Sequence, residues 1–322
     1  MAEATLQHRI PKRFIVLTIL FAIATLFSEL ATQHWILELF SHFAPYYAVA
    51  TLLCALALAL LGAWPWMAFA LALALWNGYP AAQVLLRDSA PFAPGLRQFT
   101  VFHFNAGLQH GEPNRIVSYL RNHAKEIDVV VVLEATRDFE SALDELSEFF
   151  PYQLRQFEDS PFGIALASKH AFDDGDISFL PAGLYPHIKA KIKLPGRTAP
   201  LALYAIHAPP PLSAALAAAR NAKLEHIAQV AAAETKTTPI VIGDFNVTPW
   251  SPYFKRFAAN SGLADARTMH RFDNTWPVTF DNATIGLAID HSFAHPSLQL
   301  VKRTIGPDLG SDHLPVTVTF GY

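Results

Sequence analysis

Residues 240–250 read IVIGDFNVTPW. Three apolar residues, Ile240, Val241 and Ile242, have the pattern of a buried strand, and Gly243 releases the chain from it. Asp244 and Asn246 follow, with Phe245 between them. In an extended chain alternate side chains leave on the same side. A carboxylate and an amide are therefore expected to point together at one spot, at the end of a strand rooted in the core.

Working outward, strand-like runs recur on both sides: FTVFHFN (99–105), VVVVLEA (129–135), FGIALAS (162–168), HIKAKIKL (187–194), PLALYAIHA (200–208), LAIDHSFA (287–294), QLVKRTI (299–305) and LPVTVTF (314–320). Some are apolar throughout, as strands covered on both faces are, and others alternate. Helical stretches separate them. Residues 113–126 place Ile116, Val117, Leu120 and Ala124 on one stripe, and residues 213–234 begin at a Ser cap. At 251–262, Ser251 caps, Pro252 takes the first helical position and Gly262 ends the helix. Strands alternating with helices predict an α/β domain over residues 99–322, without internal repeats.

Upstream the composition changes. Residues 14–86 are overwhelmingly apolar. Arg9, Lys12 and Arg13 precede a first apolar run at about 14–30, a second lies at 46–61 and a third at 64–86. A membrane-crossing helix takes ~20 apolar residues, ~17 at the least. Trp35, Tyr46, Tyr47, Trp64, Trp66, Trp76 and Tyr79 gather near the ends of these runs, as interfacial aromatics do. No small-x-small cleavage site follows the first run, so three spans are expected rather than a cleaved leader. Residues 1–86 are thus read as a membrane anchor. The positive start places the amino terminus in the cytoplasm, and an odd number of crossings puts the large domain outside, in the periplasm of a Gram-negative cell; one short run lying in the interface would instead put it in the cytoplasm. Residues 87–98, with two prolines and a glycine, read as a linker.

The chain carries a formal charge of −3, and the part from residue 97 onward holds 20 Lys+Arg against 23 Asp+Glu. That balance lacks the broad positive footprint of a protein gripping nucleic acid along its backbone. Lys189, Lys191 and Lys193 alternate along a strand and read as a solvated face. A single cysteine, Cys54, excludes a disulfide framework or a cysteine zinc site within one chain.

Polar residues recur at the strand ends: Asn105, Glu134, His207, Asp244 and Asn246, Asp290 and His291, and then Ser311, Asp312 and His313 before the last strand. Each alone has an ordinary reading as a turn former or a helix cap. Six positions behaving alike do not. Glu134 and Asp312, with the Asn105 amide oxygen, offer hard oxygen ligands for Mg²⁺ or Mn²⁺, a metal that shares its coordination with water and phosphate. A histidine beside a carboxylate supplies a general base. His103, His110, His187 and His270 read as structural or surface residues.

In order along the chain, Asn105, Glu134, His207, GDFN, IDH and SDH resemble the endonuclease/exonuclease/phosphatase superfamily of DNase-like phosphoesterases over residues 99–322. HAPPPLS, VTPWSPYF, TWP and GPDLGSDHLPV, with the apolar amino-terminal segment, resemble a bacterial membrane-anchored branch. The resemblance implies a four-layer sandwich of two stacked mixed β-sheets flanked by helices, with the site at one end. It also implies roles. Glu134 is the principal metal ligand, and Asn105 and Asp312 complete its surroundings. His313 activates water and is held by Asp290. His207 and Asn246 contact phosphoryl oxygens, while Asp244 orients the nucleophile or manages the leaving-group proton. Where the family often has Gln before the glutamate, this chain has Leu133.

The expectation is a membrane-anchored, Mg²⁺-dependent hydrolase of a phosphodiester of lipid or nucleotide type. A nuclease acting on DNA is the second reading, with Phe245, Trp250 and Trp276 available to stack on bases. A non-catalytic membrane protein using the domain for binding is the third.

Overall fold

A computed structural model describes residues 2–86, 93, 95–108, 112–180, 185–267, 273–280 and 283–322. His110 and His270, and most of the expected linker at 87–98, lie outside the described residues. The chain divides into two units, Met1–Asp88 with Thr248–Phe254, and Ser89–Val247 with Lys255–Tyr322.

The first unit holds α1 (Ala2–Glu29), α2 (Trp35–Ser41), α3 (Ala44–Leu60) and α4 (Trp64–Leu85). Small residues let these helices approach: a Cβ on Gly78 of α4 would sit 3.5 Å from that of Ala48 on α3. Within the bundle Asn77 donates to Thr25 at 2.8 Å, and Thr25 in turn donates to the Phe21 carbonyl. Large apolar side chains instead face outward, among them Leu20, Leu53, Leu56, Leu60 and Leu75. Exposed apolar surface of this extent marks contact with something other than water. Ser251 donates to the buried Glu38 at 2.7 Å, and Thr248 is bonded to His42 at 2.9 Å.

Among the described residues one helix, Pro11–Glu29, is long and apolar enough to cross a membrane. α2 and α3 meet that measure only as a pair, bent by 60°. α4 coincides with the longest expected span, but it carries Asn77, Gly78, Tyr79, Pro80 and Gln83 in its second half. These residues dilute its apolar character.

The second unit stacks two mixed sheets. The first comprises β1 (Gln98–Asn105), β2 (Val129–Leu133), β3 (Tyr152–Gln156), β4 (Ile164–Ser168), β13 (Gln299–Ile305) and β14 (Val316–Gly321), in the order β13-β14-β1-β2-β4-β3. The second comprises β5 (Phe172–Phe179), β6 (Pro186–Ile192), β7 (Leu201–His207), β8 (Thr238–Asp244), β9 (Ala264–Asp265) and β12 (Asp290–Ala294), in the order β5-β6-β7-β8-β12-β9. A hairpin of β10 (Trp276–Phe280) and β11 (Ala283–Leu287) stands apart. Each sheet has one parallel pair, β1 with β2 and β7 with β8; the other pairs are antiparallel. A parallel pair needs a crossover. α5 (Pro113–His123) supplies it in the first sheet and α7 (Ala214–Ala232) in the second; α6 (Phe139–Glu145) and α8 (Pro252–Ser261) complete the set.

Alternation along the strands builds the core. Val101, Val129, Val131 and Leu133 of the first sheet meet Leu203, Ala205, Ile240 and Ile242 of the second in one buried layer. The intervening Phe102, Phe104, Val130 and Val132 face outward onto Ile116, Leu120 and Phe139 of α5 and α6. Each fully buried Val, Leu, Ile or Phe contributes ~1.5–3 kcal/mol. Ser213 caps α7 as expected, its Oγ accepting from the Leu216 amide at 3.2 Å. Lys191 and Lys193 pair with Asp174 and Asp173, and Lys189 with Glu234, so this lysine row is a strand face with its own counter-charges.

Candidate active site

The interior parity of the strands leads directly to the site. Stepping by twos from Phe99 and Val101 on β1 reaches His103 and then Asn105. The same step from Ala205 reaches His207, from Ile242 it reaches Asp244, and from Ala294 back through Ser292 it reaches Asp290. All of these polar side chains are buried. Strand register sets them side by side: His207 pairs with Asp244 across β7–β8, and Asp290 with Asp244 across β8–β12. The site is the polar end of the apolar layer between the sheets.

Glu134 breaks this parity. In a continued strand it would follow Val130 and Val132 to the outer face. Its backbone instead turns left-handed, at φ 53°, a conformation that is uncommon outside glycine. Its carboxylate thereby accepts from the Asn105 amide nitrogen at 3.1 Å and from the Leu108 backbone N–H at 2.7 Å. The same Asn105 nitrogen donates to Asp244 at 3.1 Å and so links the two acids, one from each sheet. The Asn105 oxygen accepts from the Gly107 amide and is turned away from the acids.

Asn246 lies beyond the end of β8, so strand alternation does not orient it. Its backbone is also left-handed, at φ 49°. The expected meeting with Asp244 occurs through a local turn: the Asn246 N–H donates to Asp244 at 2.7 Å, and its amide nitrogen reaches Asp244 at 3.2 Å and the Ala208 carbonyl at 2.9 Å.

His313 is held at Nδ1 by Asp290 at 2.8 Å, and its Nε2 faces Asp244 at 3.8 Å. Burial opposes charge on this imidazole, but Asp290, Asp244 and Asp312 outweigh it and raise its pKa to about 10. Burial and the neighbouring Asp290 charge push Asp244 well above the usual carboxylate range. Burial also raises Glu134, against the opposing pull of the Leu108 amide and Asn105. Asp290 would likewise be raised by burial, but the His313 ion pair holds it below its ordinary value. His207 is lowered to about 3, first by burial and then by Lys223, and is a neutral imidazole. Its Nε2 stands 3.6 Å from Asp244 and 3.8 Å from Glu134.

The structure therefore gathers Asn105, Glu134, His207, Asp244, Asn246, Asp290 and His313 at one place. Asp312 is exposed and accepts from the Trp276 indole at 3.1 Å; it adds negative charge to the site from outside. Donor atoms of Asp244, Asp290 and His313 all lie within 4.8 Å of one another. Phe245 is fully buried, edge-on to Phe257 and His291, so it has no face to offer a base. His103 bonds Ser292 inside the core, in line with its structural reading.

Sequence reasoning missed two supports, Thr275 and Arg303, and gave a third, Ser311, no part. Thr275 accepts from the Asp290 N–H at 3.2 Å, and buried Arg303 donates to the Asp290 carbonyl at 2.9 Å. Ser311 donates to the Asn105 carbonyl and accepts from the His313 N–H.

Two stacked mixed sheets with clustered acids and two imidazoles at one end of the interface define the DNase-like phosphoesterase class. The endonuclease/exonuclease/phosphatase family model matches residues 102–313, and the chain belongs to that family, whose members hydrolyse phosphoester bonds. Among solved structures it is similar to an endonuclease/exonuclease/phosphatase from Beutenbergia cavernae, at 20% identity and TM-score 0.55, over 70% of this chain and 72% of that one. It is also similar to D. rerio TDP2 complexed with a single-strand DNA product (16%, TM-score 0.56, 70% and 99%). A third likeness is to a family protein from Bacteroides thetaiotaomicron (16%, TM-score 0.54, 70% and 98%). These likenesses are of fold. No curated protein matches the chain by sequence.

Proposed function

We propose that this chain is a membrane-tethered, divalent-cation-dependent hydrolase of phosphate esters, acting on a phosphodiester of lipid or nucleotide type. The observation that carries the reading is the bonded set Glu134–Asn105–Asp244 beside the His313–Asp290 pair. Three carboxylates, those of Glu134, Asp244 and Asp290, converge there on oxygen-rich surroundings, a donor set that fits Mg²⁺ or Mn²⁺. Glu134 would be the main ligand, with Asn105 orienting it and Asp312 adding charge nearby. The cation would supply Lewis-acid polarisation of a phosphoryl oxygen.

The remaining chemistry belongs to the side chains. With Nδ1 donated to Asp290, His313 presents Nε2 to a water and accepts its proton once that nitrogen is free. The water oxygen then forms the new bond to phosphorus as the ester bond breaks. Neutral His207 would donate to a phosphoryl oxygen, and the Asn246 amide would do so by exchanging its 3.2 Å bond to Asp244 for the substrate. Asp244, raised by its surroundings, can carry the proton delivered to the departing oxygen. Positioning and fixed charge supply most of the acceleration in such transfers.

The outward apolar side chains of the first unit support a membrane tether. The Pro11–Glu29 helix would cross the membrane from a cytoplasmic amino terminus, with the catalytic domain on the periplasmic side. On this reading the chain stays with the membrane pellet after an alkaline carbonate wash; release into the supernatant would overturn the tether.

DNA remains the second reading, since the similar D. rerio TDP2 structure contains a single-strand DNA product. The overall negative charge and the burial of Phe245 weigh against it. The test uses the full chain in detergent with bis-p-nitrophenyl phosphate. Chelation should abolish turnover, and Mg²⁺ or Mn²⁺ should restore it. Glu134→Gln should lower turnover by about 10³-fold, the loss of several kcal/mol of charge stabilisation. Full activity in both conditions would sink the reading. A panel of phospholipid, nucleotide and single-stranded DNA then separates the substrate classes.

A further inference from the structure

The residue carrying the amide of the site, Asn246, sits in a backbone conformation that costs free energy. Something must hold it there. Two of its supports are local, the bonds of its N–H and amide nitrogen to Asp244. Another is the bond of the amide nitrogen to the Ala208 carbonyl at 2.9 Å, and two more come from distant side chains that grip consecutive carbonyls of the turn. Arg220 on α7 is fully buried, and its Nη1 donates to the Asn246 carbonyl at 3.2 Å. Its guanidinium is steadied by the Asn221 side-chain oxygen, which accepts from Nε at 3.0 Å and Nη2 at 2.9 Å. His291 on β12 is also fully buried, and its Nε2 donates to the Val247 carbonyl at 2.8 Å. A carbonyl only accepts, so Nε2 carries the proton. The same imidazole meets the edge of Phe245 with ring centroids 5.4 Å apart.

We propose that Arg220 and His291 are positioning residues that clamp the Asp244–Asn246 turn and hold the Asn246 amide in its working orientation. This rests on the phosphoesterase reading for its effect on turnover, but not for its effect on the turn. A guanidinium is suited to the task because its planar donors can serve the Asn221 oxygen and the Asn246 carbonyl together. Loss of either grip frees the turn to relax toward ordinary right-handed geometry, carrying the amide away from the substrate. Neither residue reaches the reacting atoms; each acts through the backbone.

The test compares Arg220→Met, Arg220→Lys and His291→Phe in the full chain, alone and in an Asn246→Ala background. In Arg220→Met, kcat on bis-p-nitrophenyl phosphate should fall by about 10²-fold, the scale of a misplacement near 1 Å. KM should stay within about threefold, since the reacting groups remain present. Arg220→Lys should recover part of the loss by restoring one donor. In the Asn246→Ala background the same Arg220→Met change should cost less than about threefold, because its target is gone. His291→Phe should behave in the same way. Independently of any substrate, amide exchange at residues 245–247 should quicken by about tenfold or more in Arg220→Met, as a charged hydrogen bond is lost. Unchanged exchange at these amides, or an undiminished loss in the Asn246→Ala background, would overturn the clamp. A wild-type chain without turnover would instead remove the functional reading and leave the exchange result to decide the clamp.

Discussion

Replacing His313 by alanine is expected to lower kcat on bis-p-nitrophenyl phosphate by about 10³-fold, within the range assigned to general-base catalysis. The melting curve should stay cooperative. Asp290→Asn is the companion change: an asparagine can present its amide nitrogen to Nδ1, which selects the other tautomer and points a proton, instead of a lone pair, at the water. The expected loss is again large, with KM little changed. Full turnover in either variant would remove His313 and Asp290 from the mechanism.

The charge on His313 has a second consequence. In the cation-free site its pKa is raised to about 10 by Asp290, Asp244 and Asp312 in spite of burial. The imidazolium therefore stabilises the chelated protein fully below pH 6.5, its ordinary value, and that contribution disappears as the pH climbs through about 10. Thermal melts in chelator should show this alkaline decline in the wild type, and His313→Gln should lack it. The negative charge that holds the proton is also the charge a divalent cation would neutralise. Loading the site and freeing Nε2 for base catalysis are thus linked.

Gly243→Ala is expected to prevent folding. At φ 130°, Gly243 lies where a Cβ would stand 2.0 Å from the Ile206 carbonyl oxygen, and that oxygen belongs to the paired strand β7. Backbone on both sides leaves no flexible neighbour to yield, so the cost is placed above about 4 kcal/mol, at the far end of single-substitution effects. Gly262→Ala is the control. It shares a positive φ, 65°, but has nothing within 4 Å of the added carbon, and should cost about 1 kcal/mol. Thermal melts and soluble yield of the two variants provide the comparison. A Gly243→Ala protein melting within a few degrees of the wild type would show that β7 and β8 are not locked together at this point.

The apolar strands were legible in the sequence because burial on both faces leaves a continuous run. Two of the strands that were not expected lack such a pattern for a physical reason. β3, YQLRQ, and β5, FDDGDISF, each close one edge of a sheet, where charge and polarity guard against further pairing. The candidate site was readable where parity holds, at Asn105, His207, Asp244 and Asp290. Where parity fails, at Glu134, the residue was named from its place at the strand end and its chemistry, but nothing in VLEA announces the left-handed turn that brings it inward. The supports contributed by Arg220, Thr275 and Arg303 were equally hidden, since they bind backbone atoms and leave no periodic trace. At the amino-terminal end, composition identified the helices well. It overstated how many of them reach the length and apolarity of a crossing, because a polar residue such as Asn77 can be satisfied within a helix bundle.

The pairing of His207 and Asp290 with Asp244 across adjacent strands has a bearing on heredity. The coordinates of the chemistry are written into hydrogen-bond ladders, so one inserted or deleted residue inside β8 would send every later side chain to the wrong face and erase the message at a stroke. The loops springing from those strands hold no such record. They can lengthen, shrink or change character without moving the side chains that the ladders hold in register.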